Sequence, residues 1–230
     1  MKIIFFIPAR GGSKGVPNKN VKILDGTPLI GHSIKQAFAS KYEGKVVVST
    51  DDENIKEIAE GFNAEVPFLR PHHLATDTSA TIDVLIHALQ YYKEKGETFE
   101  LVVLLQPTSP LRSVCDIDKS IDLILEKSVD SVVSVCKCEH SPLWSNTIPD
   151  SGMMQEFLRP EIKGLNRQQL PDYYRLNGAV YVSTIKAITI NAAFIHKSCY
   201  AYKMPVNRSI DIDSELDFKM ANLIMLDNKE

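Results

Sequence analysis

The stretch "KIIFFIPARGGSKGVPNKN", residues 2–20, joins a short apolar run to a loop rich in glycine and basic residues. Such a run, ended by turn residues, is typical of a strand buried on both faces of a sheet. Gly11, Gly12 and Gly15 let backbone N–H groups approach an anion, and an arginine and two lysines stand among them. The spacing matches neither common phosphate-loop pattern. We interpret the stretch as a phosphate-binding loop; the alternative is a solvated basic loop.

The alternation of apolar runs with amphipathic segments continues along the chain. Runs rich in valine and leucine predict strands at residues 45–50, 101–106 and 130–136. Apolar residues at three- and four-residue spacings predict helices over residues 29–39, 82–92 and 117–125. This order predicts right-handed βαβ units, and therefore a doubly wound α/β fold with a mostly parallel sheet.

The alternation stops after Cys138. Residues 139–172 contain four prolines and little helical periodicity, and they are too many for a plain loop in a compact domain. We therefore treat residues 1–230 as a single domain with 139–172 as an inserted segment. This insert is either an irregular lid or a lid that also contacts a second subunit. We favour the second, because the insert has little of its own to bury its large apolar side chains. These are Leu143, Trp144, Phe157 and Leu158.

Two strands and a helix complete the pattern after the insert. The strands are predicted at residues 178–183 and 199–205. The helix is predicted from Ser214 to about Leu226, because Ser214 and Asp217 have the spacing of a capping box.

Composition and charge limit the class of protein. Hydrophobic residues make up 44%, charged residues 24%, and the net charge is −3, which argues against a general nucleic-acid-binding protein. The four cysteines lack a disulfide framework or zinc-ligand spacing, so we interpret them as free thiols in a reducing cytoplasm. No apolar run approaches the roughly 18–20 residues of a membrane span. We expect a cytoplasmic protein that acts on small anions, with no nucleic-acid or membrane partner.

Four polar clusters follow predicted strands, at the edge where ligands bind in open parallel sheets. They are the glycine-rich loop, "STDD" at residues 49–52, "QPTSPLR" at residues 106–112 and "SIDIDSE" at residues 209–215. Asp51 and Asp52 are expected to cap the next helix, and Arg112 is expected to have a structural role. Because the clusters occupy equivalent positions, together they predict one shared site.

Asp211 and Asp213 flank Ile212, and residues two apart in an extended chain point to the same face. Two carboxylates that point together repel each other unless a cation lies between them. Mg²⁺ suits a site beside phosphates, since it binds one or two carboxylates and keeps water or phosphate oxygens as its other ligands. The alternative assigns one aspartate to helix capping and the other to solvent.

Arg167 and Arg175, in the insert and at its exit, offer planar guanidinium groups that suit a carboxylate. Surface salt bridges are an equally open interpretation of both. Gln106 ends an apolar run with an amide that can donate and accept hydrogen bonds. No histidine is assigned to a metal.

Together these motifs resemble the acylneuraminate cytidylyltransferase family, which includes CMP-sialic acid synthetases and bacterial synthetases for CMP-legionaminic and CMP-pseudaminic acids. The matching stretches, which span nearly the whole chain in the family's order, are "IPARGGSKGVPNKN", "VVSTDDENI", "RPHHLATDTSAT", "LLQPTSPLR", "RQQLPDYYRLNGAVY" and "SIDIDSELD". The resemblance implies a Rossmann-like, three-layer nucleotidyltransferase fold of the nucleotide-diphospho-sugar transferase type. It also implies a homodimer formed through a small dimerisation excursion.

The resemblance implies that CTP and a nine-carbon 2-keto sugar acid of the sialic acid type form a CMP-sugar and pyrophosphate, with Mg²⁺ as cofactor. The implied catalytic residues are Arg10, Lys19 and Asp211. The implied nucleotide-binding residues are Ala9, Arg10, Gly11, Gly12, Ser13 and Lys19 around the triphosphate, and Asn20, Arg70 and Ser79 around cytosine and ribose. Sequence leaves open whether Asp211 also helps to deprotonate the sugar hydroxyl.

The resemblance also implies which residues hold the sugar acid and the metal. The implied sugar-binding residues are Gln106, Arg167, Arg175, Asn177 and Phe194, with Arg167 supplied across the dimer interface. Asp211 and Asp213 are the implied metal ligands. In one place the chain departs from the family: some sialic acid enzymes have two adjacent aromatic residues where this chain has Ala193 and Phe194. The identity of the sugar is therefore open.

Three alternatives remain beside sialic acid as the substrate. The native sugar can be legionaminic or pseudaminic acid, or the eight-carbon 3-deoxy-manno-octulosonate, although "RQQLP" and "SIDIDSE" favour the nine-carbon group. The alternative from another class is an inactive nucleotide- or sugar-binding regulator on the same fold. The presence of Arg10, Lys19, Asp211 and Asp213 argues against it.

Overall fold

A six-stranded sheet with helices on both faces is the centre of the protein, in a computed structural model that describes residues 1–227. The predicted domain extends to residue 230, so its last three residues lie outside the described residues. The strands are β1 (Ile3–Pro8), β2 (Ile23–Leu24), β3 (Thr27–Pro28), β4 (Lys45–Ser49), β5 (Leu101–Leu104), β6 (Ser131–Lys137), β7 (Tyr174–Thr184) and β8 (Cys199–Met204). The α-helices are α1 (Leu29–Phe38), α2 (Glu53–Gly61), α3 (Thr81–Glu94), α4 (Val114–Lys127), α5 (Ile185–Asn191) and α6 (Glu215–Asp227).

The sheet has the strand order β4-β1-β5-β7-β6-β8, and β2 and β3 form a separate hairpin. Strand β1 is parallel to β4 and β5, and β6 is parallel to β8, which confirms the predicted mostly parallel α/β sheet. Strand β7 is antiparallel to both of its neighbours and is longer than the run at residues 178–183 predicts. Its direction is reversed because the insert brings the chain back to the edge of the sheet at which β6 ends.

Helices cover both faces of the sheet, as the buried strands predict. In β1, Phe5 packs on the face covered by α1, α2 and α4, and Phe6 packs on the face covered by α3 and α5. Both phenylalanines are fully buried, which contributes about 2 kcal/mol each to the hydrophobic free energy of folding. The predicted helices 29–39, 82–92 and 117–125 correspond to α1, α3 and α4. Helix α5 is too short for periodicity to predict.

A third, smaller apolar cluster places the site residues relative to each other. Val16 from the glycine-rich loop and Ile212 from the aspartate pair are both fully buried, and they pack with Phe218 of α6. The predicted capping box opens α6: Ser214 Oγ accepts from the Asp217 N–H at 3.3 Å, and the Asp217 carboxylate accepts from the Ser214 N–H at 2.7 Å. Helix α6 therefore holds the two polar segments side by side.

The insert forms three short 3-10 helices, at Pro142–Trp144, Pro160–Ile162 and Arg167–Gln169. The structure corrects the expected exposure of its apolar side chains. Leu143, Trp144, Phe157 and Leu158 are partly buried, and Asn146 Nδ2 donates to the Phe157 backbone oxygen at 3.2 Å, so the insert folds back on itself; the exposed apolar residues are Ile148, Met153 and Met154. The lid or subunit role of the insert remains a prediction. Within residues 1–227, no helix combines the length and apolar character that a membrane crossing requires.

Candidate active site

A cleft of about 430 Å³ lies at the carboxyl ends of β1, β4 and β5. Four segments line it: the glycine-rich loop, residues 70–84, residues 106–108 after β5, and the aspartate pair after β8. Three of these segments contain polar clusters that the sequence assigns to one site, and the fourth cluster, residues 49–52, does not line the cleft. Of the predicted site residues, those that line the cleft are Arg10, Ser13, Lys19, Asn20, Arg70, Ser79, Gln106, Asp211 and Asp213.

The glycine-rich loop is anchored to the end of β4 and to itself. Gly11 N–H donates to Asp51 Oδ1 at 3.1 Å, and Lys19 N–H donates to Ser13 Oγ at 3.0 Å. Asp52 has the predicted helix-capping role, accepting from the Ile55 N–H at 2.9 Å, whereas Asp51 holds the loop instead of the helix. The backbone of Ala9 is part of the same anchor, because its N–H donates to Ser49 O.

The three glycines of the loop have different physical roles. A Cβ on Gly15 would lie 2.1 Å from the backbone oxygen of Asp213, and one on Gly11 would lie 2.7 Å from Asp52 Oδ2. Among the described residues, a Cβ on Gly12 would have no neighbour within 4 Å. Gly11 and Gly12 do not line the cleft. Close packing against the aspartate segment therefore requires Gly15, whatever the loop binds.

We expect Gly15→Ala to destabilise the fold by about 2 kcal/mol, because neither backbone in the 2.1 Å contact can move away cheaply. Urea unfolding measures the change, and Gly12→Ala is the matched control, with an expected change within about 0.5 kcal/mol. Equal stability of the two variants would show that the contact between the loop and Asp213 does not constrain the site.

The basic side chains of the loop have different partners. Lys19 is largely buried, and its Nζ donates to the backbone oxygen of Ile212 at 2.6 Å and to Asp213 Oδ1 at 3.2 Å. Arg10 Nη1 contacts Asp77 Oδ1 at 2.6 Å, and Lys14 contacts the other oxygen of the same carboxylate. Lys19 therefore joins the loop to the aspartate segment, while Arg10 and Lys14 face residues 70–84.

Asp211 has the electrostatics of a cation site. Its Oδ1 is buried and accepts no hydrogen bond within residues 1–227. Burial raises the pKa of Asp211 and the Asp213 carboxylate raises it further, while a hydrogen bond to Thr108 and the charge of Lys19 oppose the shift. A buried carboxylate oxygen without a donor is costly unless a cation fills the gap.

Mg²⁺ fits these residues. It is satisfied by one or two protein carboxylates when phosphate oxygens and water complete its shell. Asp211 and Asp213 both line the cleft, and Asp213 is exposed toward it. Among residues 1–227, no group of three or more histidines, cysteines or acidic residues has the arrangement of a protein-only metal site. The pair suits a cation that shares its ligands with a substrate.

The residues predicted around the nucleoside lie in the cleft, but their polar groups already have protein partners. Asn20 Nδ2 donates to the Arg10 backbone oxygen at 2.9 Å, and Ser79 Oγ donates to the His73 oxygen at 3.1 Å. Arg70 is buried and donates to Ser49 and to the Leu74 oxygen. Burial lowers the pKa of Arg70 to about 10, against the opposing charge of Asp51. These side chains are therefore pre-oriented by the fold.

Gln106 lies in the cleft against β7. A Cβ on Gly178 would lie 2.9 Å from Gln106 Oε1 and 3.2 Å from Asp211 Oδ2, and Gly178 has φ of +69°. Both facts require glycine there, which brings the β7 backbone against the site. Arg112 has the predicted structural role: it is buried and donates to the Gln106 and Ala179 backbone oxygens.

Asn177 does not line the cleft but lies in a buried hydrogen-bond network beneath it. Its Oδ1 accepts from Ser134 Oγ at 2.6 Å, and its Nδ2 donates to Ser209 Oγ at 2.9 Å. Phe194 is also outside the cleft lining; it packs edge-on against Tyr181, with ring centroids 5.4 Å apart. Their role in binding the sugar acid remains a prediction.

The two arginines predicted to bind a carboxylate are not brought together. Arg175 donates to Glu139 Oε1 at 3.2 Å, and its charge lowers the pKa of Asp211, so it lies beside the cleft. Arg167 lies instead in the insert and lines a second cavity of about 540 Å³ with Cys138 and Tyr173. In a single chain, the site therefore has Arg175 nearby and lacks Arg167.

An ion pair that sequence reasoning missed holds the segment before the aspartates. Arg208 Nε contacts Asp116 Oδ2 at 3.0 Å, and its Nη2 contacts Oδ1 at 2.8 Å. Burial raises the pKa of Asp116, but hydrogen bonds from Arg208, Ser113 and Tyr202 outweigh burial and lower it overall. The pair spans almost a hundred residues of sequence, so no local signal indicates it.

Known proteins resemble this chain in sequence and in fold. The cytidylyltransferase family model matches residues 4–189. The chain is 37% identical, over 100% of its length and 99% of the relative's, to CMP-N,N'-diacetyllegionaminic acid synthase of Legionella pneumophila. It is 36% identical to N-acylneuraminate cytidylyltransferase of Streptococcus agalactiae serotype V over 95% of this chain, and spans 52% of that longer relative.

Solved structures show the same fold. The structure of CMP:2-keto-3-deoxy-manno-octonic acid synthetase complexed with CTP covers 99% of this chain and 100% of its own, with a TM-score of 0.73 and 15% identity. The fold is that of the Rossmann-like nucleotidyltransferases. The chain belongs to the cytidylyltransferase family, as its motifs predict, and it is a nucleotidyltransferase enzyme.

Proposed function

We propose that this chain transfers the cytidylyl group of CTP to the anomeric hydroxyl of a nine-carbon 2-keto sugar acid, with Mg²⁺ as cofactor and pyrophosphate as co-product. The observation that carries the proposal is that one cleft joins cations of a glycine-rich loop to a carboxylate pair and to Gln106. The names of the Legionella and Streptococcus relatives support an acylated nine-carbon acid of the sialic acid type. The free cysteines fit a cytoplasmic location.

The reaction is a direct displacement at the α-phosphorus. The sugar hydroxyl oxygen forms a new P–O bond and gives up its proton to water or to Asp211, while the bond to the pyrophosphate oxygen breaks and pyrophosphate leaves with that electron pair. Arg10 and Lys19 stabilise the charge that develops on the phosphates. When bound by Asp211 and Asp213, Mg²⁺ supplies Lewis-acid stabilisation of the phosphate oxygens.

Other residues of the cleft orient the two substrates. Asn20, Arg70 and Ser79 surround the cytosine and ribose, and their existing hydrogen bonds keep them in place before CTP enters. Ser13 lines the triphosphate part of the cleft, and Ala9, Gly11 and Gly12 support that loop from outside. Gln106 holds the sugar, and Arg175 and Arg167 hold its carboxylate, which aligns the hydroxyl with the α-phosphorus.

A second candidate role for Asp211 is removal of the proton from the attacking hydroxyl. Its raised pKa suits a base better than an ordinary exposed aspartate would. Either role requires the carboxylate to be ionised, so the pH profile of turnover falls on the acid side as pH drops through the raised pKa. Metal titration separates the two roles. If Asp211 acts only as a base, its replacement leaves the affinity of the protein for Mg²⁺ unchanged.

The protein is proposed to act as a homodimer in which each cleft receives Arg167 from the other subunit. The separation of Arg167 from the cleft within one chain supports this arrangement. The insert that carries it, with its exposed Ile148, Met153 and Met154, would form the contact.

Mixing inactive variants tests that arrangement. We expect Arg10→Ala and Arg167→Ala each to be inactive alone, and mixed dimers to recover about a quarter of wild-type activity, because random pairing restores one intact site in half of the dimers. The mixture is measured after co-expression, with Arg10→Ala mixed with Lys19→Ala as the control, since those two residues act in the same cleft. No recovery would place Arg167 in its own chain's site or outside the site.

Pyrophosphate release tests the function itself. The assay pairs CTP, UTP, ATP and GTP with N-acetylneuraminic, legionaminic and pseudaminic acids, and with 3-deoxy-manno-octulosonate. We expect release with CTP and a nine-carbon acid, and loss of release when EDTA removes the metal. Faster release with the octulosonate would favour the eight-carbon substrate, and no release with any pair would favour the inactive binding protein.

A further inference from the structure

Asp77 pairs with two cations of the glycine-rich loop. Its Oδ1 contacts Arg10 Nη1 at 2.6 Å, and its Oδ2 contacts Lys14 Nζ. Each oxygen of one carboxylate therefore takes one cation, which is the arrangement that two phosphate oxygens would adopt. Arg10, Lys14 and Asp77 all line the cleft.

The Asp77 carboxylate belongs to a structured turn at residues 73–79, just before α3. The Thr76 N–H donates to Ser79 Oγ at 3.0 Å, and Ser79 Oγ donates to the His73 oxygen at 3.1 Å. The turn holds Asp77 across from the glycine-rich loop, and the two ion pairs connect segments that are more than sixty residues apart in sequence. No role in the proposed transfer reaction requires a negative charge at this point.

The geometry points to Asp77 as a specificity determinant: an internal anion that competes for the triphosphate cations, so that a polyphosphate can displace it and a monophosphate cannot. This inference rests on the proposed function for the identity of the nucleotide. A triphosphate carries several charges against the single charge of the carboxylate, and it contacts both cations at once. CMP and a CMP-sugar lack the β- and γ-phosphates, so after pyrophosphate leaves, Asp77 pairs again with Arg10 and Lys14.

The expected effect is modest, because the pair is partly exposed. The side chains of Asp77 and Lys14 are 42% and 83% exposed. Exposed ion pairs contribute little, so removing this competitor is expected to tighten polyphosphate binding by about three- to tenfold. The affinity for CMP is expected to change by less than about twofold, since CMP has no β- or γ-phosphate with which to contact both cations.

Isothermal titration calorimetry of the intact protein with Asp77→Asn tests this. The probes are inorganic tripolyphosphate and CMP, each in EDTA, and CTP with and without Mg²⁺. Asp122→Asn is the matched control, because Asp122 pairs with Lys41 and Tyr42 on a different surface and the variant loses the same charge. We expect tighter binding of tripolyphosphate and CTP by Asp77→Asn, with unchanged CMP binding and unchanged values in the control.

Several results would overturn the inference. Unchanged tripolyphosphate affinity would show that the ion pairs do not compete with the ligand, and weaker affinity would make Asp77 a part of the binding site. If Asp77→Asn bound CMP more tightly by the same factor as tripolyphosphate, Asp77 would not discriminate between the two ligands. The Lys14→Ala background provides a second test, since Asp77→Asn is expected to tighten binding less there. Tripolyphosphate binding without CTP turnover in the wild type would contradict the proposed function while leaving this test intact.

Discussion

Asp211→Asn is expected to lower turnover by about three orders of magnitude and, at neutral pH, to raise the melting temperature of the metal-free protein. Turnover falls because the amide loses the charge that a cation or a proton transfer needs. Stability rises because burial raises the pKa of Asp211, and the native state therefore holds its charged form at a cost. Within residues 1–227, Oδ1 of this buried carboxylate accepts no hydrogen bond, which adds to that cost.

The sign of the pH dependence follows from the raised pKa. In the wild type, stability is lost as pH rises from the ordinary aspartate range through the raised native pKa, because the unfolded chain releases this proton first. The melting temperatures of wild type and Asp211→Asn should therefore converge at low pH and separate toward neutrality. Thermal melts across pH measure this.

Magnesium and a second variant sharpen the test. Mg²⁺ is expected to raise the melting temperature of the wild type by binding the native state, and to leave Asp211→Asn unchanged. Asp213→Asn is the comparison variant: its side chain is 78% exposed, so it should lose activity with a smaller gain in stability, because it removes only the Asp213 contribution to the raised pKa of Asp211. If Asp211→Asn were less stable than the wild type at neutral pH, the interpretation of Asp211 as a buried carboxylate that is costly to ionise without a cation would be contradicted.

Arg10→Ala is expected to lower turnover by about two to three orders of magnitude, with little change in stability. Arg10 is placed by its backbone, whose oxygen accepts from Asn20 Nδ2, so truncation of the side chain leaves the loop anchored. The lost group is a guanidinium aimed into the cleft from the end of β1. The pyrophosphate-release assay with CTP measures the loss.

Two further variants help to interpret the loss of turnover expected for Arg10→Ala. Arg10→Lys keeps the charge but not the planar fork, so partial activity is expected. Lys14→Ala removes the other cation paired with Asp77, but its side chain is 83% exposed, and a smaller loss is expected. Near-normal turnover by Arg10→Ala would remove this arginine from the catalytic residues and leave Lys19 as the main cation of the loop.

The elements that sequence predicted well are those whose signal is local. The apolar runs of β1 and β5 are buried on both faces, and the periodicity of α1 and α4 matches the faces that they bury. Glycines and cations at the end of β1 indicated the loop of the cleft. The short α5 and the reversed β7 had no such signal, because seven residues carry little periodicity and strand direction depends on where the insert returns.

The same distinction between local signals and tertiary packing holds for the residues of the site. Arg10 and Gln106 lie two residues beyond strands β1 and β5, and Lys19 and Asp211 lie in the longer segments that follow β1 and β8, so topology indicated that all four reach one edge of the sheet. Asn177 lies in a hydrogen-bond network and Phe194 in an aromatic contact outside the cleft lining, and residue type alone does not indicate these positions. The sequence could not show which polar or aromatic side chains line the cleft, because the same residue types serve in ligand contacts and in internal packing.

Sequence by itself determined the fold class, the family and the cluster of polar strand ends, because hydrophobic periodicity and turn residues act over a few positions. Tertiary structure alone decided which charges meet. It paired Asp77 with Arg10, joined Lys19 to the Ile212 backbone and, within the described residues 1–227, gave Asp211 Oδ1 no hydrogen-bond donor. Those contacts depend on distances between segments far apart in the chain. The cations of the loop at residues 7–20 can therefore be read from the sequence, whereas their ion-pair partners depend on the folded cleft.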